Sequence, residues 1–345
     1  MSESERPHVS IALCTFNGER YIEELLDSLA GQKHLPAELV VCDDRSTDGT
    51  VGLIEAFAEL APFPVKLHIG HRQRGPTENF QWAISLCEGD LISLCDQDDV
   101  WLSHKLARAV DAFRATPEIG FSFSDAELVS DDLAPLGRSL WDAVGFKPHF
   151  REQALAGDLV RLLVRFTFVT GATMVFRSDL REVLSPMPHN WHHDAWIALL
   201  GTFLRPYAVI DEQLMLYRSH GDQAVGVPER AVTNVWEMRW KQAADPGKAD
   251  FHRQRRRTEA ERFRKLVERF ETAGRSYLRD AGLPVPGNIP PMLEELEQRA
   301  QHLDARGALP DQRLKRLPLV LKESRTGRYR RFSAGLLSAA QDFLY

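Results

Sequence analysis

Three carboxylates lie close together at the end of a short apolar run. Asp96, Asp98 and Asp99 belong to the stretch ISLCDQDDVWL, residues 92–102. Clustered carboxylates supply oxygen ligands for a hard divalent cation such as Mg²⁺ or Mn²⁺, and substrate phosphates complete its shell. The alternative is that Asp98 or Asp99 caps a helix that begins near Trp101. The spacing Asp96-x-Asp98 predicts a cation and diphosphate site, with the capping role left open.

Two earlier apolar runs also end in polar residues. Thr15, Asn17 and Glu19 follow the first run, and Asp43 and Asp44 close the second. Ligands of parallel sheets bind outside the carboxyl ends of the strands, so these residues belong with the aspartates. Asp43 and Asp44 can accept hydrogen bonds from a nucleobase and a ribose, whereas the following DGT is typical of a turn and a helix start.

The loops after these runs argue against two common nucleotide-binding folds. Neither G-x-G-x-x-G nor a Walker-type loop follows the first run. The sequence therefore predicts a ligand that is bound through side chains and a metal.

The elements that must position these residues alternate along the first two hundred residues. Apolar runs that predict strands are separated by stretches with apolar residues at helical spacing. The predicted strands are 9–15, 38–43, 65–70 and 90–96, and the predicted helices lie around 21–29, 54–58, 80–87 and 106–113. This alternation predicts an α/β fold with a mainly parallel central sheet and helices on both faces.

The regular alternation of predicted strands and helices ends after residue 125. We predict a loop over 130–148, a helix over 151–164, a strand over 168–177, a helix over 192–201 and a final extended segment over 206–221. From about residue 228 the chain is strongly helical and charged. The sequence therefore predicts a catalytic domain over 1–227 and a helical C-terminal region over 228–345.

The composition is that of an ordinary globular chain of 345 residues, with 43% hydrophobic and 27% charged residues. No apolar run approaches the roughly 18 residues of a membrane span, and the N-terminus lacks a secretory pattern, so we expect a cytoplasmic protein. A net charge of −6 argues against general nucleic-acid binding. The four cysteines lack zinc-site spacing and are expected to be reduced and buried: Cys14, Cys42, Cys87 and Cys95.

Three motifs, in order, resemble family 2 glycosyltransferases with the GT-A fold. They are VSIALCTFNGERYIEELLDSLAGQ, ELVVCDDRSTDGT and LISLCDQDDVWLSHKL. TGATMVFR, HHDAWIALL and LYRSHGDQAVG resemble the bacterial rhamnosyltransferase branch of that family. The Q-x-x-R-W of processive synthases does not occur, which favours the addition of one or a few sugars.

The resemblance implies roles for the residues at the first two strand ends. Thr15, Asn17 and Glu19 match the first nucleotide-binding segment, and Asp44 matches the carboxylate that recognises the pyrimidine base. The donor would be a dTDP- or UDP-sugar.

For the aspartate cluster, the resemblance implies that Asp96 and Asp98 form the D-x-D that contacts ribose and metal. Asp98 is the first choice for the metal, with Asp99 close behind. His220 follows the last predicted strand, where a GT-A metal site often finds another ligand, and Arg218 could clamp the diphosphate. Both alternatively lie in solvent, as loop side chains commonly do.

Asp194 matches the carboxylate that inverting members use as general base. Many members have Trp at the position of Ala195, a difference expected to reshape the acceptor pocket. In-line attack requires a base on one side of the sugar and a cation on the other, which suits carboxylates from distant segments. The alternative for Asp194 is the N-cap of a helix over 194–200.

Basic charge is concentrated near the C-terminus. Residues 313–331 hold eight basic residues against the single acid Glu323, and an apolar helical stripe follows in FSAGLLSAAQDFLY. A basic amphipathic tail can lie on the anionic inner face of a membrane. The alternative is a solvated basic stretch with a helix that packs on the domain.

These patterns predict an inverting, metal-dependent glycosyltransferase. The best guess for its reaction is transfer of L-rhamnose from dTDP-rhamnose to a lipid-linked or saccharide acceptor, in bacterial O-antigen or capsule biosynthesis. One alternative is a sugar-1-phosphate nucleotidyltransferase, although TFNGER fits its glycine-rich loop poorly. The other is a carbohydrate-binding or scaffold protein at the membrane.

Overall fold

The computed structural model describes residues 7–221, 223, 249–333 and 335–344. Two compact units, Met1–Ala231 and Val232–Tyr345, make up the chain. The predicted boundary at 227/228 lies outside the described residues.

The first unit is built around a mixed sheet. Its strands are β1 (Val9–Thr15), β2 (Glu38–Asp43), β3 (Val65–Ile69), β4 (Leu91–Asp96), β5 (Val100–Trp101), β6 (Phe121–Val129), β7 (Pro135–Ser139), β8 (Met174–Arg177) and β9 (Tyr207–Arg218). Within the described residues the order is β3-β2-β1-β4-β8-β6-β9-β5, and β7 pairs with β6. The first four strands in this order are parallel, β8 is antiparallel to both neighbours, and β9 is parallel to β6.

Helices cover this sheet. They are α1 (Ile22–Ala30), α2 (Thr50–Ala58), α3 (Pro76–Leu86), α4 (Lys105–Ala115), α5 (Leu140–Val144), α6 (Pro148–Gln153), α7 (Leu159–Leu163), α8 (Arg181–Leu184) and α9 (His193–Leu204). Single turns of other helix types lie at Ala154–Asp158, Gly171–Thr173 and Ser178–Leu180. The α/β prediction is confirmed.

The central strands are buried because helices pack on both faces. All six residues of β2 are buried, as are five of the six residues of β4. Helix α1 buries one apolar stripe, made of Ile22, Leu25, Leu26 and Leu29. Each of these side chains contributes about 1.5–3 kcal/mol when it leaves water. Apolar packing thus fixes the strand ends on which the polar residues sit.

The segment after the aspartates differs from the prediction. Val100 and Trp101 form the short strand β5 against β9, and α4 begins at Lys105 with His104 as its N-cap. Trp101 is buried, so strand pairing places its large ring in the core instead of at an exposed helix start. The prediction of a helix beginning near Trp101, and with it the capping role of Asp98 or Asp99, is wrong.

Two other segments are more structured, or less extended, than predicted. The predicted loop over 130–148 contains β7 and α5. The predicted strand over 168–177 is a strand only from Met174, because a 3₁₀ turn occupies Gly171–Thr173. A β-carbon on Gly171 would lie 2.7 Å from Nε2 of His193, so this turn packs closely against the start of α9.

The second unit is helical in its described part. Its helices are α10 (Ala249–Arg269), α11 (Arg275–Asp280), α12 (Ile289–Gly307), α13 (Arg313–Arg325), α14 (Arg328–Phe332) and α15 (Leu336–Leu344), with a π-helical turn at Phe270–Gly274. Helices α10 and α12 pack along each other. Their core includes Leu266, Phe270 and Leu296. Among the described helices, none has the length and apolar character that crossing a bilayer requires.

Candidate active site

The ends of β1 and β2 are joined by the carboxylate of Asp43. The hydroxyl of Thr15 donates to Oδ2 of Asp43 at 2.8 Å, and Ser46 donates to the same carboxylate through its backbone N–H and its hydroxyl. Asp43 and Thr15 are buried. This arrangement gives both residues a role in building the sheet edge, and a contact of either with a nucleotide stays a prediction.

Asn17 and Glu19 lock the loop after β1 to the loop after β2. Oδ1 of Asn17 accepts the backbone N–H of Thr47 at 2.8 Å, and Oε2 of Glu19 accepts that of Gly49 at 2.6 Å. Asn17 has a left-handed backbone, with φ 48°, which asparagine tolerates better than most residues. The two loops therefore form one polar rim beside the strand ends.

Asp44 extends this rim to the turn before α3. Its two oxygens accept the backbone N–H groups of Arg74 at 2.7 Å and Gly75 at 2.8 Å. Asp44 is buried, and each of its oxygens retains further acceptor capacity. Recognition of a base by Asp44 stays a prediction.

The aspartate cluster and the start of α9 share one acidic edge. Burial, followed by the charges of Asp98 and Asp194, raises the pKa of Asp96 to about 7. Strand β4, which ends in Asp96, contacts the Gly171–Thr173 turn, and the N–H of Gly171 donates to the Asp194 carboxylate. The structure thus places the predicted D-x-D and the predicted base near each other, although nearly one hundred residues separate them in sequence.

Asp98, just after β4, contacts His220, which was predicted as a further metal ligand. Oδ2 of Asp98 lies 2.8 Å from Nε2 of His220, and the two side chains are 14% and 7% exposed. The imidazole also packs 4.6 Å from the ring of Tyr21. The structure therefore brings together two residues that are 122 positions apart, and the binding of a metal by both stays a prediction.

Asp99 is fully buried behind this pair. Its Oδ1 accepts the backbone N–H of Arg218 at 3.1 Å, and its Oδ2 has no hydrogen-bond partner in the described part of the chain. Burial, followed by the charges of Asp98 and Asp96, raises the pKa of Asp99 well above its usual range. A buried carboxylate with an unpartnered oxygen is costly unless a cation or a proton compensates it.

Arg218 has a different role from the predicted clamp on a diphosphate. Its side chain is 2% exposed, and its Nε donates to the carbonyl of Asp98 at 2.7 Å. The other guanidinium nitrogens donate to the carbonyl of Asp131 and the carboxylate of Glu24. Arg218 therefore ties β9 to the aspartate loop and to α1, and we do not assign it to substrate.

Two donor groups at this edge suit a divalent cation. Asp98 offers a carboxylate and His220 a ring nitrogen, whereas a direct contact of the buried Asp99 with a metal stays a prediction. No group of three or more His, Cys, Asp or Glu side chains suited to a metal occurs in the described ranges. Mg²⁺ and Mn²⁺ sites often use one or two carboxylates and take their other ligands from substrate phosphates and water.

Asp194 projects from the first turn of α9. Helix α9 begins at His193 with His192 as its N-cap, so the alternative in which Asp194 caps a helix over 194–200 is wrong. Oδ1 of Asp194 accepts the N–H of Ala195 at 2.6 Å, and Oδ2 of Asp194 accepts the N–H of Gly171 at 3.4 Å. The turn at Gly171 thus orients the carboxylate.

Sequence reasoning missed Lys105. This lysine is 1% exposed; its Nζ donates to the carbonyl of Ala172 at 2.5 Å and lies 3.7 Å from the ring centroid of Trp101. Burial lowers the pKa of Lys105 to about 8, while nearby Asp99 and Asp96 oppose that shift. The available signal was its place on the buried stripe of α4, four residues before Ala109.

The four cysteines carry free thiols. Cys42, Cys87 and Cys95 are buried, and Cys14 is partly buried. Burial raises the pKa of the Cys42 thiol to about 12, so these side chains behave as small apolar groups.

Comparisons with known proteins show the family to which the chain belongs. The family model described as Glycosyl transferase family 2 matches residues 10–183, about half of the chain. A protein of Nostoc sp., the uncharacterized glycosyltransferase alr2836, is 26% identical over 216 residues, 62% of this chain and 65% of that protein. The dTDP-rhamnosyl transferase RfbG of Shigella flexneri is 35% identical over 232 residues, 62% of this chain and 73% of that protein. The match to the Nostoc protein thus spans just under two thirds of that relative's length.

A solved structure shares the fold. It is that of S. aureus TarS 1-349 in complex with UDP-GlcNAc, with a TM-score of 0.50 and 17% identity. The alignment covers 94% of this chain and 92% of that one. At this level of identity the likeness concerns the fold alone.

Proposed function

The chain belongs to glycosyl transferase family 2 and has a GT-A fold, and from this premise we propose that it transfers a sugar from a nucleoside diphosphate to an acceptor hydroxyl. The observation that carries the proposal is the acidic edge: β4, the strand that ends in Asp96, contacts the Gly171–Thr173 turn, and the N–H of Gly171 donates to the Asp194 carboxylate. A base and an electrostatic stabiliser for the leaving group are the two parts that such a displacement requires.

Asp194 acts as the general base in this proposal. The acceptor oxygen attacks the anomeric carbon, its proton passes to the Asp194 carboxylate, and the bond between that carbon and the diphosphate oxygen breaks. The N–H groups of Gly171 and Ala195 hold the carboxylate in place during this step. A single in-line displacement inverts the anomeric centre.

Asp98 and His220 would hold a divalent cation, Mn²⁺ or Mg²⁺, with Asp99 behind them. When bound, the cation neutralises the negative charge that develops on the departing diphosphate. Asp96 and Asp44 would contact the ribose and the base, inside the rim that Asn17 and Glu19 complete.

For the donor we propose dTDP-rhamnose. Support comes from the 35% identity to the Shigella flexneri protein named dTDP-rhamnosyl transferase. We further propose that transfer takes place in the cytoplasm, on a lipid-linked or free saccharide acceptor, during assembly of a bacterial surface polysaccharide.

A thermal-shift screen across nucleotide sugars, with and without Mn²⁺, tests donor and metal together. We expect dTDP-rhamnose with Mn²⁺ to raise the melting temperature, and Asp98→Asn to remove the part of the shift that depends on Mn²⁺. The matched control is Asp111→Asn, an exposed carboxylate on α4, which should keep the shift. A shift only with another nucleotide sugar would overturn the donor assignment, and a response to none would contradict the proposed function.

Product analysis separates the transferase from a sugar-1-phosphate nucleotidyltransferase. Incubation with dTDP-rhamnose, Mn²⁺ and a saccharide acceptor should release dTDP. Formation of pyrophosphate from a nucleoside triphosphate and a sugar 1-phosphate would favour the nucleotidyltransferase instead.

A further inference from the structure

Helices α13 and α15 of the second unit turn their leucines outward. The buried residues of α13 are Arg316, Val320 and Glu323, and those of α15 are Ser338, Ala339 and Asp342. An ordinary surface helix does the opposite, with its apolar side chains facing the core. The outer faces of these two helices therefore need another explanation.

On α13 the side opposite the buried residues is apolar. Leu314 is 85% exposed and Leu321 is 50% exposed, and the two lie seven residues apart on one face of the helix. Leu317 lies beside them at 43% exposure.

Helix α15 continues this apolar surface. Leu336 is 86% exposed, Leu337 57% and Leu344 43%, and they share the side opposite Ser338 and Asp342. Helices α13 and α15 pack against each other. We call the set Leu314, Leu317, Leu321, Leu336, Leu337 and Leu344 the leucine face.

The exposed charges of α13 and α14 are all positive. These helices hold the exposed basic residues Arg313, Lys315, Lys322, Arg325 and Arg330, together with Arg331, which pairs with Glu295 of α12. The only acids between residues 313 and 344 are Glu323 and Asp342, and both are buried. Glu323 pairs with His302 and Arg328, and Asp342 with Arg306, so neither offsets the exposed positive charge.

We propose that the leucine face and its basic surround bind the surface of an anionic lipid bilayer. Apolar side chains enter the boundary between headgroups and acyl chains, while lysine and arginine contact the anionic headgroups. A second copy of the chain is a poorer occupant, because it would bring two positively charged surfaces together. This inference is independent of the proposed sugar transfer, since adsorption to a membrane involves no turnover.

The test is co-sedimentation of the full chain with vesicles of phosphatidylcholine alone or with 30 mol% phosphatidylglycerol, a fraction chosen as on the order of that in anionic membranes. We expect binding to the anionic vesicles, weakening as salt is raised. Replacing Leu314, Leu321 and Leu336 by serine should lower the partition coefficient about tenfold or more, because each leucine adds apolar contact with the acyl region.

A matched control exists in the first unit. Leu60 and Leu155 are 88% and 67% exposed, so Leu60→Ser with Leu155→Ser matches the double variant Leu314→Ser with Leu336→Ser, at 85% and 86%, and should leave vesicle binding unchanged. A charge variant, Lys322→Glu with Arg325→Glu, should abolish the preference for anionic vesicles and leave the melting temperature unchanged.

Three outcomes would overturn the proposal. They are equal binding to both vesicle types, equal loss of binding in the control variant, and concentration-dependent dimerisation of the lipid-free protein that the serine variant abolishes. The last outcome, measured by light scattering, would assign the leucine face to a second copy.

Discussion

Both compact units bury carboxylates, but they compensate them differently. At the acidic edge of the first unit, burial and neighbouring acids raise the pKa of Asp96 to about 7 and that of Asp99 well above its usual range. In the second unit burial acts on Asp342 in the same direction, yet Arg306 and Arg256 outweigh it and lower the pKa of that carboxyl. Oδ2 of Asp342 also accepts the hydroxyl of Tyr329 at 2.7 Å.

This difference separates two uses of buried charge. A buried carboxylate that is paired with arginines stabilises an arrangement of helices, and its charge needs no bound ligand to compensate it. Carboxylates that face mainly each other remain unfavourable until a cation or a proton arrives, which is typical of functional sites. The contrast supports a structural role for Asp342 and agrees with the proposed catalytic role of the acidic edge.

The largest effect that distinguishes the two kinds of buried carboxylate is expected at Asp194. Asp194→Asn should lower kcat about 1000-fold, because the amide cannot accept the acceptor proton. The free energy of unfolding should not fall, since Asp194 adds negative charge to an edge that already has too much. Turnover is measured as dTDP release, and donor binding as the thermal shift. Asp179→Asn, a surface carboxylate paired with Arg205, is the control and should retain activity. Full activity in the Asp194 variant would remove it from the mechanism.

Asp342 should show the reverse pattern. Asp342→Asn leaves Arg306 and Arg256 without their carboxylate, and we expect a loss of about 3 kcal/mol from the free energy of unfolding of the second unit. Hydrogen exchange over residues 289–307 reports that unit within the full chain. Asp304→Asn, which breaks a surface pair with Arg264, should cost less than about 1 kcal/mol. Equal effects of the two substitutions would refute the distinction between buried and exposed pairs.

Much of the first unit could be predicted because its signals are local. The runs VSIALCT and ELVVCD coincide with β1 and β2 residue for residue, and apolar strands in this pattern require a sheet covered on both faces. The polar ends of β1, β2 and β4 then meet at one edge by geometry alone. Asp194 lies on α9 instead, and only the resemblance to family 2 glycosyltransferases allowed it to be named as the base.

The missed features depend on contacts between distant segments. Strand β5 has two residues, and only its pairing with β9 makes it a strand. Arg218 reads as a loop cation in sequence, and its burial requires Glu24 from α1 and the carbonyl of Asp131. The inverted faces of α13 and α15 likewise follow from where Arg306 and His302 lie on α12. Such contacts leave no periodic signal in the chain.

Lys105 tests whether any cation of the protein compensates the negative charge of the acidic edge. Its positive charge lowers the pKa values of Asp96 and Asp99, although less than burial raises them. Lys105→Met should cost about 1–3 kcal/mol of stability, because the Ala172 carbonyl loses its donor and the aspartates lose a cation. Since Ala172 lies in the turn that orients Asp194, kcat should also fall about tenfold, in line with a displaced base. Mn²⁺ should restore part of the stability.

Lys33→Met, at an exposed position, is the control for the loss of one positive charge. Retained kcat in Lys105→Met, together with lost stability, would confine Lys105 to a structural role.

The smallest expected effect is a pH dependence in the second unit. His302 is 1% exposed, and its Nδ1 lies 2.7 Å from Oε1 of Glu323. Burial lowers the pKa of His302 below its ordinary 6.5, with Arg306 acting in the same direction and Glu323 and Asp342 opposing it. The unfolded chain therefore binds the proton more readily, so stability is present above pH 6.5 and is lost as the pH falls below it. The slope should not exceed about 1.4 kcal/mol per pH unit.

Hydrogen exchange over residues 289–307 between pH 7.5 and 5, corrected for the intrinsic exchange rate, measures this slope. His302→Asn should flatten it, whereas Asp194→Asn should leave it unchanged because Asp194 belongs to the other unit. Persistence of the slope in His302→Asn would transfer the dependence to another group. A flat profile in the wild type would mean that Glu323 and Asp342 compensate the charge of the His302 imidazolium as fully as the arginines compensate Asp342. Every buried charge around His302 would then be paired.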